Sequence, residues 1–216
     1  MRHLFHEFYT MFRYLIQKSG YIPNKLKASK KEKGRLSSPQ QAMGFSPQVY
    51  NHTVAQMLLT WEDFDDESRL HNLSNTLERL LQLHAIPIIN ENDSVSSDEY
   101  SVGDNDTLAA LTAKCIHADL VVLLSDIDGL YTKDPHSDPS AQLIPVVEKI
   151  TDTIEALAKG AGSSLGTGGM ATKVSAAKIV TKEGIDMIIA NGAKADILYD
   201  IVDGKQAGTR FLGERS

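Results

Sequence analysis

The chain reads as an α/β protein with a mainly parallel sheet, and three observations predict this. Short apolar runs alternate with stretches whose apolar residues recur at helical spacing. The runs Ala85–Asn90, Leu120–Leu124 and Ile185–Ala190 are nearly continuous, as strands covered on both faces must be. Polar clusters rich in Asn, Asp and Gly follow or precede these runs, where open parallel sheets bind ligands.

In chain order, residues 3–17 place Leu4, Phe8, Met11, Phe12 and Leu15 at helical intervals, which predicts an N-terminal helix. Lys25 to Arg35 carries six basic residues and little to bury, the pattern of a solvated arm rather than an RNA-binding one. No strand pattern occurs in residues 1–50. Val54–Thr60 predicts a strand, and Leu70, Leu73, Leu77, Leu80 and His84 mark one face of the helix after it. Ala85–Asn90 predicts the next strand. Asp104 or Asp106 caps a helix with Leu108, Leu111 and Cys115 on its inner face. The buried strand Leu120–Leu124 follows, then a long loop, a helix over Met170–Lys182, the strand Ile185–Ala190 and a helix over Ala195–Val202. Gly204 and Gly208 flank the turn into a last short strand.

Composition excludes several function classes. Residues 1–50 hold nine Lys or Arg against two Glu, a net of +7, whereas residues 51–216 hold thirteen basic and twenty-six acidic residues, a net of −13. Such an acidic body opposes general nucleic-acid binding. An anion would have to be held by a local cradle of backbone N–H groups and a few lysines. The single cysteine, Cys115, allows no internal disulfide and fits a cytoplasmic location. His6, Glu7 and Arg13 interrupt the apolar N-terminal stretch, so no spanning helix or signal peptide is expected and no membrane partner is implied. His3 and His6 share a helix face without further ligands, so no metal site is assigned.

Four segments carry candidate chemistry. Asn90-Glu91-Asn92-Asp93 follows a strand, Gly103-Asp104-Asn105-Asp106 opens a helix, and Ser125-Asp126-Ile127-Asp128-Gly129 follows another strand. Turn formation alone explains any one of them; three in succession at one sheet edge point to a site. The fourth, Gly160 to Lys173 (GAGSSLGTGGMATK), sets five glycines ahead of a helix whose first turn holds Lys173. Glycines let backbone N–H groups face a phosphate, and the helix N-terminus adds positive potential. A Walker A loop requires Gly-Lys-Ser/Thr, which is absent. The string Gly166-x-Gly168-x-x-Ala171 fits a dinucleotide fingerprint, yet no strand precedes it.

In order, PIINENDSV (87–95), VGDNDTLAAL (102–111), LSDIDGLYTKDP (124–135), GTGGMATK (166–173) and AGTRF (207–211) resemble the glutamate 5-kinases of the amino-acid kinase family, with TVAQMLLTWEDF (53–64) a weaker match. The resemblance implies a three-layer α/β/α fold and transfer of phosphate from ATP to the side-chain carboxylate of glutamate with Mg²⁺, the first step of proline biosynthesis. It further implies a cytoplasmic homo-oligomer under proline feedback. By the same motifs Asp93 and Asn105 would bind glutamate with Asn90 close by, and Asp106 would organise the catalytic lysines. Ser125 and Asp126 would contact the nucleotide. Thr167, Gly168, Gly169, Met170, Ala171, Thr172 and Lys173 would wrap its phosphates, with Lys173 stabilising the transferring group. Residues 51–213 are then the kinase domain, with 51–106 the acceptor side and 107–213 the nucleotide side.

The family's opening strand ending in Lys-Gly-Ser and its later Ser-Gly-Ala loop do not occur in residues 1–50. This predicts a segment foreign to the family, from a truncated gene or a frame error, and little or no kinase activity for the chain as it stands. No RNA-modification-like C-terminal domain is expected after residue 213. Two other readings stand beside the kinase: a non-catalytic remnant that binds nucleotide or joins intact subunits, and a family member with a different acceptor.

Overall fold

The computed structural model describes residues 15–16, 48–49, 52–95, 102–135, 137–160, 169–193 and 196–215. Contacts divide the chain into two units, Gln17–Ser101 and Met1–Ile16 with Val102–Ser216.

In the Gln17–Ser101 unit, β2 (Gln48–Val49) pairs antiparallel with β3 (His52–Leu59), and β3 pairs parallel with β4 (Ile86–Glu91). The parallel register sets Val54 opposite Ile86 and Leu59 opposite Glu91. Between β3 and β4 run a single turn, α1 (Glu62–Asp65), and the long α2 (Glu67–Gln82). Asp66 caps α2 by accepting from the Arg69 amide at 2.8 Å. Leu73 and Leu77, one turn apart, are its buried residues. The face predicted through His84 stops earlier: His84 lies beyond the helix, exposed, at φ 56°. Its left-handed backbone reverses the chain into β4, and apolar spacing carries no sign of that turn. Asp63 accepts from the Thr60 amide at 2.7 Å and from Arg69. Partial burial works against its charge, but these bonds and the Arg69 guanidinium prevail and hold the carboxyl below its ordinary range.

The second unit is a five-stranded sheet in the order β1 (Leu15–Ile16), β5 (Leu120–Ser125), β7 (Asp186–Asn191), β8 (Thr209–Phe211), β6 (Val146–Val147). Its long central pairing, β5 with β7, is parallel, as is β6 with β8; β1 with β5 and β7 with β8 are antiparallel. Side chains alternate across the two central strands. Val122, Leu124, Ile188 and Ala190 form one cluster with Ile201 and Ala207, against which Ile197 and Leu198 of α6 (Ile197–Val202) pack. Val121, Leu123, Met187 and Ile189 take the opposite face, the side of α3 (Asn105–Cys115) and α5 (Met170–Lys182). The result is three layers, α/β/α.

Two expectations for the first fifty residues change. Leu15–Ile16 is a strand paired to β5, not the end of a helix, and Gln48–Val49 adds a second strand to a stretch read as strandless. Two-residue pairings need only backbone N–H and C=O groups, so they leave no periodic trace. The other residues of the predicted 3–17 helix lie outside the described residues. The inner face of α3 also differs. Leu108 is buried as expected, but Leu111 and Cys115 are only half-buried, and Ala109, Ala110, Thr112 and Ala113 are buried instead. Ala110 and Ala113 on α3 and Ala176 and Ala177 on α5 expose no surface, because small side chains let the two helices approach closely. The span read as a long loop contains β6 and α4 (Asp152–Gly160). Thr151 opens α4 by accepting from the Glu155 amide, and Glu155 pairs with Lys178 of α5.

Thr209, fully buried, ties three chain segments. Its hydroxyl accepts from the Leu130 amide at 2.8 Å and donates to the Ile144 carbonyl at 2.6 Å. Thr209→Val is nearly isosteric but strands the buried Leu130 N–H, so it is expected to cost about 1–3 kcal/mol. Thr209→Ser keeps the hydroxyl and loses one methyl, about 0.8 kcal/mol. Urea midpoints that fall equally for both variants would show that volume, not hydrogen bonding, is what matters there.

Candidate active site

The helices α3 and α5 each precede a parallel strand and return antiparallel to it, so both start at the edge where β5 and β7 end. Helix amino ends expose N–H groups and carry positive potential, which favours an anion. Asp104 caps α3: its Oδ1 accepts from the amides of Asp106 at 2.7 Å and Thr107 at 2.8 Å, and its Oδ2 from the Thr107 hydroxyl at 2.8 Å. Asp106 therefore does not serve as the cap. It is the second helical residue and turns inward, with 2% of its surface exposed.

There its Oδ2 receives Lys173 Nζ at 3.2 Å, from the first turn of α5. The Thr172 hydroxyl lies 2.9 Å from the same oxygen and 2.7 Å from the Gly169 carbonyl, sharing one proton between two acceptors. Lys173 is 5% exposed, so the pair is a buried one. Burial of both charges strengthens their attraction while making the loss of either partner costly. The structure thus brings Asp106, Thr172 and Lys173 together, with Gly169 as the N-cap of α5 and Met170 and Ala171 in its first turn. Asn105, the first residue of α3, is half-buried beside them in sequence. Thr167 and Gly168 lie outside the described residues.

Ser125 ends β5, and its hydroxyl donates to Asp126 Oδ1 at 3.1 Å. The neighbouring strand end holds this loop. Gly192 N donates to the Ser125 carbonyl at 2.7 Å, and Asn191 Nδ2 donates to Asp128 Oδ1 at 2.8 Å. The Tyr131 hydroxyl donates to the other oxygen of Asp128 at 3.1 Å. Partial burial, and then this carboxylate, raise the Tyr131 phenol above its ordinary value. Asn191 lies in none of the segments that carry candidate chemistry, whereas Asp128 and Thr209 fall within the Ser125–Gly129 cluster and the AGTRF motif without a role of their own. Asn191-Gly192 directly after a buried strand repeats the pattern that marked the other loops, and it was the signal available.

Asn90 and Asp93 belong to the Gln17–Ser101 unit. Asn90 sits in β4 opposite Leu58, half-buried; Asp93 is exposed in the turn after it, which the Asn92 amide anchors to the Leu59 carbonyl at 2.7 Å. Among the described residues no group of three His, Cys, Asp or Glu side chains is placed to hold a metal ion, and no helix is long and apolar enough to cross a membrane.

Comparison with known proteins adds the following. A glutamate 5-kinase of Clostridium tetani is 56% identical over 162 residues, which is 75% of this chain and 61% of that protein. One from Clostridium perfringens is 46% identical over 170 residues, 77% of this chain and 63% of that protein. One from a Thermoanaerobacter species is 51% identical over 163 residues, 76% of this chain and 44% of that protein. The chain therefore spans only 44–63% of these relatives' length. Among solved structures, UMP kinase from Bacillus anthracis superposes with a TM-score of 0.50 at 14% identity, over 76% of this chain and 60% of that one, a likeness of fold. The profile of the amino acid kinase family matches residues 25–191, beginning within the basic N-terminal segment. This match covers most of the chain and includes both converging helix ends, and the chain belongs to the amino acid kinase family.

Proposed function

We propose that the chain is the kinase portion of a glutamate 5-kinase, which moves the terminal phosphoryl group of ATP onto the side-chain carboxylate of glutamate. The observation that carries this reading is the buried Lys173–Asp106–Thr172 constellation where two helix amino ends converge. Phosphoryl transfer asks a protein for positioning and for cancellation of spreading negative charge, with little covalent help. A carboxylate is already ionised near neutral pH, so the acceptor needs no general base. One of its oxygens forms the new bond to the γ-phosphorus as the bond to the β,γ-bridging oxygen breaks, and that oxygen leaves with ADP.

In this reading Lys173 meets the transferring group, and Asp106, with Thr172, fixes the lysine's direction. Thr167 to Thr172 wrap the phosphates, and Ser125 and Asp126 meet the nucleotide. Asp93, Asn105 and Asn90 meet the amino acid, whose ammonium wants a carboxylate or amide partner. Residues 51–106 then form the acceptor side and 107–213 the nucleotide side. Mg²⁺ supplies charge neutralisation on phosphates. With no set of three acidic or imidazole ligands among the described residues, the fit is to an ion carried by the nucleotide rather than to a protein cage. The resemblance extends the proposal to a cytoplasmic homo-oligomer under proline feedback.

The test is release of ADP from ATP in the presence of glutamate, with the acyl phosphate trapped by hydroxylamine. It is run on this chain and on a chimaera carrying a complete kinase amino-terminal segment, in which activity is expected. Trapping with aspartate or carbamate but not glutamate would move the chain to another acceptor. The division of labour has its own check. In the chimaera carrying a complete kinase amino-terminal segment, Asp93→Ala is expected to raise KM for glutamate about tenfold or more while leaving KM for ATP within about twofold, the pattern of lost ground-state binding. Equal effects on both substrates would remove Asp93 from the amino-acid site.

A further inference from the structure

We infer that Asn191 is a positioning residue for the nucleotide, holding the Ser125–Asp128 loop in its binding shape. The inference rests on the reading above in which Ser125 and Asp126 contact the nucleotide. In the parallel register Ser125 and Asn191 stand opposite each other as the last residues of their strands. From there one amide makes three contacts. Its Nδ2 donates to Asp128 Oδ1 at 2.8 Å and to the Asp126 carbonyl at 3.4 Å, while its Oδ1 accepts from the Ala193 amide at 2.9 Å.

The chemistry requires an amide. The oxygen pins the side chain to its own turn, and the NH₂ group reaches across to a carboxylate and a backbone carbonyl of the neighbouring loop. The contact to Asp128 is charge-assisted and stronger than a neutral bond. The second oxygen of Asp128 is taken by the Tyr131 hydroxyl, so the loop is gripped on both sides of that carboxylate. Directly upstream, Ser125 and Asp126 are bonded to each other, and the Ser125 carbonyl is held by Gly192 N. The β7 end thus sets the path of the loop from Ser125 to Asp128 while Asn191 has no assigned substrate contact of its own. Asn191→Leu removes the bonds, and Asn191→Asp sets two carboxylates against each other across the same gap.

The experiment measures binding of ATP and of glutamate to the 216-residue chain, with hydrogen exchange over residues 126–131. Both Asn191 variants are expected to weaken ATP binding about tenfold, the worth of one charge-assisted bond, with glutamate binding nearly unchanged and the melting temperature lowered by only a few degrees. Exchange at the loop amides should rise in parallel. Ser125→Ala and Asp126→Ala separate the two levels of the argument. If they weaken ATP binding while both Asn191 variants bind within about twofold of the parent, only the positioning role is overturned. If they leave ATP binding unchanged, or the parent chain binds no ATP, the nucleotide assignment of the loop fails and takes the inference with it.

Discussion

Lys173→Met is expected to destabilise the protein by about 3–5 kcal/mol, because it takes the Lys173 ammonium away from the buried Asp106 carboxylate. At 2% exposure Asp106 cannot recover water as compensation. The Thr172 hydroxyl remains beside it at 2.9 Å but brings no charge. The double variant Lys173→Met with Asp106→Leu should regain most of the loss, since a buried ion pair replaced by apolar side chains is often neutral. Urea unfolding of the two single variants and the double variant forms a cycle, and additive losses would refute coupling between the pair. Turnover behaves differently. If Lys173 meets the transferring phosphoryl group, its removal should slow the reaction by about 10²–10³-fold, from the loss of one preorganised donor. That loss should persist in the stability-restored double variant. A change below about fivefold in an active form of the enzyme would remove Lys173 from the mechanism. Asp106→Asn sharpens the point: since Asp104 is the cap, the helix start survives while the carboxylate facing Lys173 is neutralised.

Gly208→Ala is expected to be the most damaging single methyl addition among the described glycines. The residue has φ +62°, and a Cβ there would stand 1.9 Å from the Ile189 carbonyl oxygen and 2.9 Å from that of Asp128. A left-handed backbone with a side chain costs about 1–2 kcal/mol by itself. The clash adds to this by forcing β8 off β7, where Ile189 pairs with Thr209. Together they should exceed about 4 kcal/mol, the range of exceptional substitutions. Gly204→Ala is the control: φ is +75° with nothing within 4 Å, so only the backbone cost applies. Equal losses in the two variants, read as urea midpoints, would show that the close approach at Gly208 relaxes freely.

Much of this was legible in the linear chain. The helix over Met170–Lys182 matches its predicted bounds, and the three apolar runs became β4, β5 and β7 within one residue at each end. These elements are long enough for apolar spacing to outweigh local alternatives. The polar loops were legible because Asn, Asp and Gly have no reason to cluster repeatedly after buried strands unless the chain turns there to meet something. Less visible were elements of two or three residues, such as β1, β2 and β6, which backbone pairing alone defines.

What the sequence determined by itself is the order of the longer strands and helices from β3 onward (α4 excepted), the family resemblance, and which polar residue types follow β4 and β5. Those follow from periodicity and from motif chemistry, both local. That β4 and β5 belong to different sheets came from the structure. Only the tertiary structure decided that Asp104 rather than Asp106 caps α3, since both stand where a cap is possible and packing chose which one turns inward. It also decided that Asp106 and Lys173, 67 residues apart, share a buried contact, and that Asn191 and Thr209 hold loops distant from them in the chain. Such contacts depend on the register of β5 against β7 and on the close approach of α3 to α5 through alanines. No local pattern encodes a register, because the strand that completes each contact is supplied from elsewhere in the chain.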